Sequence, residues 1–299
     1  MKIIITGSLG NISQPLAKTL LLVGHQITII SSNAAKAEAI KTLGAIPAIG
    51  SLEDVGFLTN TFAGADAVYT MVPPNLTTND FREYAVGIAN SYATALQQSG
   101  VKRIVNLSSI GAHLENGTGP ITGIHDVEVI LNSIPGIAVK HIRAPFFYYN
   151  FFNNIDMIKH MDIIGNNYPA DTRIVLIHPE EIAATIATEL QQSFTGKGVR
   201  YIYSDDRTAA EVAQVLGAAI GKPGLPWAPF EDEQIWQVLV QNGMSAEMGH
   251  RFVELGVALR TNILWEDFDR NKPVVKSGVA LEDFAAEFAD RYQGKTVAV

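Results

Sequence analysis

Two glycines three residues apart stand near the start of the chain, directly after an apolar run. Residues 2–6 read Lys-Ile-Ile-Ile-Thr, which is typical of a buried parallel strand, and Ile12, Leu16 and Leu20 then recur at helical spacing. Glycine lets the backbone turn tightly and approach a phosphate, while the free N–H groups and dipole of the next helix attract an anion. The spacing, in which Ser13 replaces the usual third glycine, predicts a site for the pyrophosphate of NAD(H) or NADP(H); an ordinary strand-to-helix turn is the alternative. The residues expected to line this site are Gly7, Leu9, Gly10, Asn11 and Ile12.

The end of the second predicted strand decides which dinucleotide fits. An acidic residue there bonds the ribose 2′-hydroxyl of NAD(H) and repels the 2′-phosphate of NADP(H). Residues 26–31 form this strand, and no acid follows them. The segment instead offers hydroxyl and amide groups and one cation: Ser31, Ser32, Asn33 and Lys36. The pattern favours NADP(H), with NAD(H) as an alternative, and an ordinary solvated lysine is the other interpretation of Lys36.

Polar residues that could take part in a reaction follow the fifth predicted strand and begin a later helix. Ser108 and Ser109 stand after residues 103–107, at the strand end where open parallel sheets bind ligands. Ser108 is expected to contact the nicotinamide ribose or an acceptor oxygen, and Ser109 the acceptor; a serine pair in a turn is the alternative. His125 could donate a hydrogen bond to a reduced acceptor oxygen or be structural. Glu128 is expected on the helix surface, with orientation of His125 as a minor alternative.

An aromatic run begins where the regular alternation of elements ends. Residues 146–152 read Phe-Phe-Tyr-Tyr-Asn-Phe-Phe. Flat side chains of this kind could form the wall of a pocket for a flat aromatic acceptor, although aromatic runs also serve as hydrophobic core. The residues expected to contact the acceptor are Phe146, Phe147, Tyr149 and Asn150.

Short apolar strands alternate with amphipathic helices through the first half of the chain. This rhythm predicts an α/β fold with a doubly wound parallel sheet and right-handed crossovers. The pattern then loosens, so we expect a dinucleotide-binding domain over residues 1–149 and a smaller, mostly helical α+β substrate domain over residues 150–299. Two later runs, residues 173–177 and 199–203, could return as strands to the edge of the sheet.

Composition narrows the classes of partner. The 299 residues include 22 Lys and Arg against 30 Asp and Glu, and the formal charge of −8 argues against nucleic acid or an anionic membrane surface as main partner. There is no cysteine, which excludes disulfides and thiolate chemistry. The histidines lack metal-ligand spacing, so no metal is expected. Without a signal-peptide pattern or an apolar run of about 18 residues, the expected location is cytoplasmic, and a homodimer is one expected assembly.

Five short motifs in this order resemble the NmrA-like family of atypical short-chain dehydrogenases/reductases. They are the glycine turn at residues 7–10, the run 72–74 (Val-Pro-Pro), the run 108–112 (Ser-Ser-Ile-Gly-Ala), His125 with Glu128, and the run 143–150 (Arg-Ala-Pro-Phe-Phe-Tyr-Tyr-Asn). The resemblance covers essentially the whole chain and implies a Rossmann-type fold. It adds four residues to those expected to contact the cofactor: Val72, Pro73, Pro74 and Pro145.

The resemblance implies two kinds of function, because the family contains NAD(P)H-dependent quinone reductases and also dinucleotide-sensing regulators that catalyse nothing. Many short-chain dehydrogenases protonate a carbonyl oxygen with a Tyr-x-x-x-Lys pair, but here His125 and Val129 occupy the two places. A quinone is electron-poor and depends less on a strong acid. We therefore expect hydride transfer from NAD(P)H to a quinone or similar acceptor without a flavin, with His125 and Ser108 as candidate catalytic residues. A non-catalytic NADP(H) sensor is the alternative, and an epimerase is a weaker one.

Overall fold

A parallel sheet is the centre of the fold in the computed structural model, which describes residues 1–273 and 278–295. The strands of these described residues are β1 (Lys2–Ile5), β2 (Gln26–Ser31), β3 (Ile46–Ile49), β4 (Ala67–Thr70), β5 (Arg103–Ser109), β6 (Ala138–Ala144), β7 (Phe146–Phe147), β8 (Ile164–Asn166), β9 (Arg173–Ile177), β10 (Lys197–Tyr201), β11 (Asp205–Thr208) and β12 (Trp227–Pro229). Seven of them form the main sheet in the order β10-β6-β5-β4-β1-β2-β3. All its pairs are parallel, so the carboxyl ends of its strands lie at one edge.

Several helices begin at residues whose side chains cap the first turn. Asp54 and Asp80 each accept a hydrogen bond from the backbone N–H three residues later, and Thr208 with Glu211 forms a capping box. No helix among the described residues combines the length and apolar character needed to cross a membrane. The helices are α1 (Ser13–Leu22), α2 (Ala37–Thr42), α3 (Val55–Phe62), α4 (Phe81–Ser99), α5 (Ile121–Ser133), α6 (Ile155–Met161), α7 (Pro179–Gln191), α8 (Ala209–Ala219), α9 (Asp232–Gln241), α10 (Ala246–Arg260), α11 (Glu266–Asn271) and α12 (Leu281–Tyr292).

Helices cover both faces of the main sheet. Alternate side chains of a strand point to opposite faces, and in β1 the side chains of Ile3 and Ile5 pack with α1 and α7, whereas that of Ile4 packs with α3, α4 and α5. All three isoleucines are fully buried. The predicted doubly wound parallel sheet is confirmed.

The strand at one edge of the main sheet comes from the second half of the chain. β10 pairs in parallel with β6, as expected for the region of residues 199–203. The expectation that residues 173–177 could join the same edge is wrong. They form β9, which lies in a separate sheet between β11 and β7. The reason is local: only one residue separates β7 from the end of β6, and β7 leads the chain away from the main sheet to pair with β9.

The aromatic run after β6 belongs largely to a second core. Residues 148–154 form a 3₁₀ helix that packs against α12. The ring of Tyr148 stacks on Phe284 with centroids 5.0 Å apart, and Phe152 stacks on Phe288 at 6.1 Å. The interpretation of the run as hydrophobic core therefore holds for Tyr148 and for Phe151, which are both buried.

Candidate functional site

The glycine turn after β1 has a left-handed backbone at two successive residues. Gly7 has a φ of +88° and Ser8 a φ of +56°. A Cβ at Gly7 would lie 2.5 Å from Ser13 Oγ, which donates a 2.8 Å hydrogen bond to the carbonyl oxygen of Thr6. The small Ser13 thus closes the turn from the helix side, and residue 7 has no room for a side chain. Gly10 is not left-handed; a Cβ there would lie 3.1 Å from the carbonyl oxygen of Gly7.

The amino end of α1 offers hydrogen-bond donors that no protein group uses. The side chain of Ile12 makes no capping bond, and the first turn of α1 contains no acid. Across residues 1–273 and 278–295, no acceptor pairs with the backbone N–H groups of Leu9, Asn11 and Ile12. Free N–H groups at the positive end of a helix dipole form an anion site. The structure therefore brings the predicted pyrophosphate-binding residues together in one turn with the right chemistry.

A hydrogen-bond chain connects this turn to the end of β2. Ser8 Oγ donates to Ser31 Oγ over 2.9 Å, and Ser31 Oγ also accepts the backbone N–H of Asn33 over 3.2 Å. Ser31 is buried, so its hydroxyl serves this chain, whereas Ser32 and Asn33 are exposed. Lys36 is half-buried and makes no ion pair with any described residue. The polar side chains that remain accessible at the end of β2 are thus those of Ser32, Asn33 and Lys36.

The Val-Pro-Pro segment that follows β4 is fastened to the carboxyl-terminal region. Val72 and Pro73 are half-buried and Pro74 is exposed. Further along this loop, the carbonyl oxygen of Leu76 accepts the backbone N–H of Ser245 at 2.9 Å, and that of Thr78 accepts the Ser245 hydroxyl at 2.5 Å. Ser245 is also the amino-terminal cap of α10. The loop and the start of α10 consequently form one connected unit at the carboxyl edge of the sheet.

The expected serine at the end of β5 is bound to a buried carboxylate. Ser108 Oγ donates to Glu128 Oε1, and the two Glu128 oxygens also accept Arg143 Nε at 3.0 Å and Arg143 Nη2 at 2.7 Å. The expectation that Glu128 lies on the helix surface is wrong: it is only 5% exposed. It is held by Ser108 and Arg143 and does not orient His125, because it sits on the α5 face that packs against the sheet.

Arg143 continues this network toward α11. Its Nη1 lies 2.8 Å from the Tyr201 hydroxyl and 3.0 Å from Asp267 Oδ2, and the Tyr201 hydroxyl donates to the same Asp267 oxygen. Burial alone would lower the pKa of Arg143, but the hydrogen bonds from the guanidinium to Glu128 outweigh it and raise the pKa above its usual range. Arg143 is therefore a permanent cation joining α5, β10 and α11.

A second polar chain runs beside the first on the same face of the sheet. Thr70 Oγ1 donates to Asn106 Oδ1 at 3.0 Å, Asn106 Nδ2 lies 3.2 Å from His141 Nδ1, and His141 Nε2 lies 3.0 Å from Asn132 Oδ1. All the bonds can point in one direction if the imidazole is neutral with its proton on Nε2. Burial lowers the pKa of His141 to about 4. This chain connects β4, β5, β6 and α5 through buried side chains.

The two other polar candidates near β5 have local partners. Ser109 is half-buried and its Oγ donates to the carbonyl oxygen of Ile110 at 2.9 Å. His125 is half-buried in the first turns of α5, and its Nδ1 lies 2.9 Å from the carbonyl oxygen of Ala112. Because a carbonyl can only accept, Nδ1 carries a proton and Nε2 is the atom left for a ligand. Val129, in the lysine-like place, is 54% exposed.

The aromatic candidates do not share one surface. Phe146 and Phe147 are successive residues of β7, so their side chains point to opposite sides, Phe146 to the carboxyl-terminal core and Phe147 to the core beside α1 and α7. Tyr149 meets the His178 ring edge-on at 5.2 Å, and its hydroxyl lies 3.3 Å from Glu287 Oε2. Asn150 is exposed and Pro145 is buried. A single wall formed by the whole run is therefore not what the structure shows.

Two cavities lie away from the glycine turn. A cavity of about 390 Å³ borders the outer end of the Arg143 network, and another of about 490 Å³ lies at the opposite edge of the sheet beside Asp66 and Phe194. In the described part of the chain, no three His, Asp or Glu side chains are grouped as metal ligands. The first cavity lies by the carboxyl ends of β6 and β10, and neither cavity is lined by residues of the glycine turn.

The roles of several residues near the site were not predicted from the sequence. Ser8 gives no pattern signal, because only its backbone shows a left-handed turn. The inward position of Glu128 could be predicted, because it follows the buried Ile121 by seven residues and so lies on the same face of α5. Arg143 is a charge in a buried strand, which calls for a buried partner. His113 is half-buried with Nδ1 unpaired among described residues, and burial lowers its pKa.

Comparison with known proteins agrees with this geometry. Residues 7–127 match the family described as NAD(P)H-binding. No curated protein matches the chain. An NADPH-dependent quinone oxidoreductase from Escherichia coli, solved with NADPH, has a TM-score of 0.80 and 18% identity over 95% of this chain and 99% of its own. A Citrobacter sp. triphenylmethane reductase complexed with NADP(H) has a TM-score of 0.79 and 20% identity over 97% and 100%. A nucleoside-diphosphate-sugar epimerase from Staphylococcus aureus has a TM-score of 0.80 and 18% identity over 96% and 100%.

Identities this low show a shared fold, whereas the family match concerns the sequence itself. The matched segment contains the glycine turn, the ends of β2, β4 and β5, and the first half of α5. These are the elements whose geometry suits a dinucleotide. The expected Rossmann-type fold is thereby confirmed, and residues 7–127 of the chain match the family described as NAD(P)H-binding.

Proposed function

We propose that this protein is an NADPH-dependent reductase that transfers hydride to a quinone or a similar electron-poor acceptor. The observation that carries the proposal is the uncapped, acid-free amino end of α1 beside the left-handed turn of Gly7 and Ser8. A capping side chain or an acid there would compete with a pyrophosphate, and neither is present. When bound, the reduced nicotinamide supplies the hydride, and the chain binds, orients and shields it.

The preference for NADPH rests on the groups around the end of β2. No acid follows this strand, so nothing there repels a 2′-phosphate. Ser31 is committed to Ser8 and Asn33, which leaves the exposed Ser32 and the unpaired Lys36 as contacts for the phosphate. A chain with a net charge of −8 needs such a local cation to attract a dianion.

The nature of the acceptor follows from the proton donors at the end of β5. The Ser108 hydroxyl donates its hydrogen bond to Glu128, and the Nδ1–H of His125 donates to the Ala112 carbonyl. The place of the usual tyrosine acid is taken by His125. A quinone accepts hydride as an electron-poor ring, and the resulting hydroquinone anion can take its proton from water, or from Nε2 of His125 when the imidazole is doubly protonated. A simple ketone would depend on a stronger protein acid, and so would an epimerase.

Two of the similar structures bear names that agree with this choice. One is named a quinone oxidoreductase and the other a triphenylmethane reductase, and both names include NADPH or NADP(H). The epimerase of similar fold would favour an epimerase function, but this chain lacks the tyrosine acid on which such enzymes normally rely. A reductase is therefore the better proposal of the two.

The proposal is tested in two steps with the full chain. Fluorescence titrations with NADPH, NADH, NADP⁺ and NAD⁺ first measure affinity, and we expect NADPH to bind more tightly than NADH. Steady-state oxidation of NADPH is then followed with benzoquinone and naphthoquinone acceptors, and we expect turnover without added flavin or metal. Tight binding with a strong bias between NADPH and NADP⁺ but no turnover with any quinone would instead indicate a non-catalytic sensor.

A further inference from the structure

A buried ion pair lies between the main sheet and α5. The side chains of Arg143 and Glu128 are 9% and 6% exposed. Taking two charges out of water is costly, so a buried pair adds little stability over apolar side chains of similar volume. The neighbours of Glu128 on the same face, Val127 and Leu131, are apolar and buried. Packing alone gives no reason for a charge here, which directs attention to the third group that the carboxylate binds, the hydroxyl of Ser108.

We propose that Glu128, held by Arg143, is a positioning residue that fixes the Ser108 hydroxyl as a hydrogen-bond acceptor for the nicotinamide riboside end of the bound dinucleotide. This inference rests on the proposed function, because it needs a dinucleotide at the carboxyl edge of the sheet. Ser108 is the next-to-last residue of β5, and it keeps 6% of its surface exposed at that edge.

The direction of the hydrogen bonds of Ser108 follows from the protons that each group carries. A serine hydroxyl has one proton and two lone pairs, and it rotates freely unless a partner fixes it. A carboxylate paired with a guanidinium can only accept, so the proton of Ser108 points to Glu128 and its lone pairs remain for a ligand. The ribose hydroxyls and the carboxamide NH₂ of a nicotinamide riboside are donors that match. A quinone oxygen is an acceptor and does not match.

The position of Glu128 is in turn fixed by Arg143. Ser108 and Arg143 are direct partners across β5 and β6. The guanidinium also bonds Tyr201 and Asp267, and its planar, forked geometry leaves it little freedom to rotate. The direction of a single hydroxyl at the site is therefore set by a chain of contacts that reaches α11.

The test is a double-mutant cycle on NADPH affinity, measured by fluorescence titration. Ser108→Ala removes the acceptor and leaves the ion pair in place, and we expect it to weaken NADPH binding by about tenfold or less. Glu128→Gln keeps the volume but offers one acceptor oxygen to the three donors that Glu128 binds, so the Ser108 hydroxyl loses its fixed direction, and a similar loss is expected. In a Ser108→Ala background, Glu128→Gln should add less than about a twofold change, because it acts through the missing hydroxyl.

Three further variants separate positioning from structure. Ser108→Thr keeps a hydroxyl and should bind NADPH within about twofold of the unmodified protein. Asp126→Asn, also in α5, breaks the ion pair with Arg82 and should leave affinity unchanged. Glu128→Asp is the substitute if Glu128→Gln does not fold: it keeps a charge opposite Arg143 but withdraws from Ser108, and the same lack of additivity is expected. Thermal unfolding of every variant checks the fold.

The outcomes distinguish this inference from the proposed function. Loss of affinity in Ser108→Ala without further loss in the double variant supports it. Wild-type affinity in Ser108→Ala, or independent effects of the two substitutions that multiply in the double variant, overturns it while the proposed function stands. If the unmodified protein binds neither NADPH nor NADH, both ideas fail together.

Discussion

Asn106 and His141 contact each other in the interior across neighbouring strands, with Asn106 Nδ2 3.2 Å from His141 Nδ1. The amide donates this bond, so Nδ1 must be unprotonated. Adding a proton to the ring would set two donors against each other in a place that water does not reach. Burial, which takes the charged form of the ring out of water, lowers the pKa of His141 to about 4.

Stability should therefore fall in mild acid through His141. The unfolded chain binds a proton at this residue below about pH 6.5, whereas the folded chain does not until about pH 4. Between these values the unfolded state binds more protons, and the free energy of unfolding drops as pH falls, by about 1.4 kcal/mol per pH unit at most; above the window there is no effect. Urea unfolding at pH 7.5 and pH 4.5 should show a smaller drop for His141→Gln than for the unmodified protein. The exposed His160→Gln serves as control, and equal drops in all three proteins would contradict the assignment.

Substitution of Gly7 should lower the affinity for the cofactor by more than its small effect on the free energy of unfolding would suggest. Gly7 and Gly24 have nearly the same left-handed backbone, with φ of +88° and +85°, but a Cβ at Gly24 meets nothing within 4 Å. Each alanine variant should lose about 1 kcal/mol of stability through its backbone. Only Gly7→Ala also pushes against Ser13 Oγ and displaces the turn, so we expect its NADPH affinity to fall more than tenfold, on the order of 1.4 kcal/mol or more. Equal affinities of the two variants in titrations would remove the turn from the cofactor site.

Lys36 should contribute to the discrimination between NADPH and NADH. It has no ion-pair partner among described residues, whereas Lys41, in the next turn, is paired with Glu38 at 2.7 Å. Removing an unpaired cation near the 2′-phosphate weakens NADPH selectively. We expect Lys36→Ala to lower the ratio of NADPH to NADH affinity by about threefold to tenfold, and Lys41→Ala to leave it unchanged. The effect should shrink in high salt. An unaltered ratio in Lys36→Ala would mean that the phosphate is bound elsewhere.

His125 should matter only modestly for turnover. Its Nδ1–H is donated to the Ala112 carbonyl, so Nε2 can donate to an acceptor oxygen only when the imidazole is doubly protonated. One hydrogen bond at a developing oxyanion is worth about 1–2 kcal/mol when water can provide the proton. His125→Ala should thus lower kcat with benzoquinone by about tenfold or less, and the exposed Val129→Ala should not change it. A thousandfold collapse in His125→Ala would point to an obligatory acid, and carbonyl reduction would replace quinone reduction as the proposed chemistry.

The sheet and the glycine turn could be predicted because their signals are local. Three isoleucines followed by two glycines and a helical period specify a strand, a turn and a helix within about 20 residues. The pairing partner of residues 173–177 could not be predicted this way, because strand pairing depends on the positions of elements that are distant in sequence. The separation of Phe146 and Phe147 onto opposite sides was within reach, because two successive residues of any strand diverge.

The buried network was harder to predict for a different reason. A charged residue in a buried strand or on the inner face of a helix indicates that a partner of opposite charge exists, but it does not identify that partner. Arg143 could have paired with any buried acid, and only the register that sets it beside Ser108 identifies Glu128. The role of a side chain cannot be predicted from local sequence patterns when it depends on contacts among three separate helices and strands.

The pairing of β10 with β6 also affects how the chain folds during its synthesis. During synthesis, β6 is complete long before residues 197–201 leave the ribosome, and until they arrive one side of β6 carries unpaired N–H and C=O groups. An open strand of this kind is a template for pairing with another nascent chain. A fragment that stops at residue 149 would keep this edge open permanently, so it should self-associate, whereas one that extends past Tyr201 carries its own edge strand.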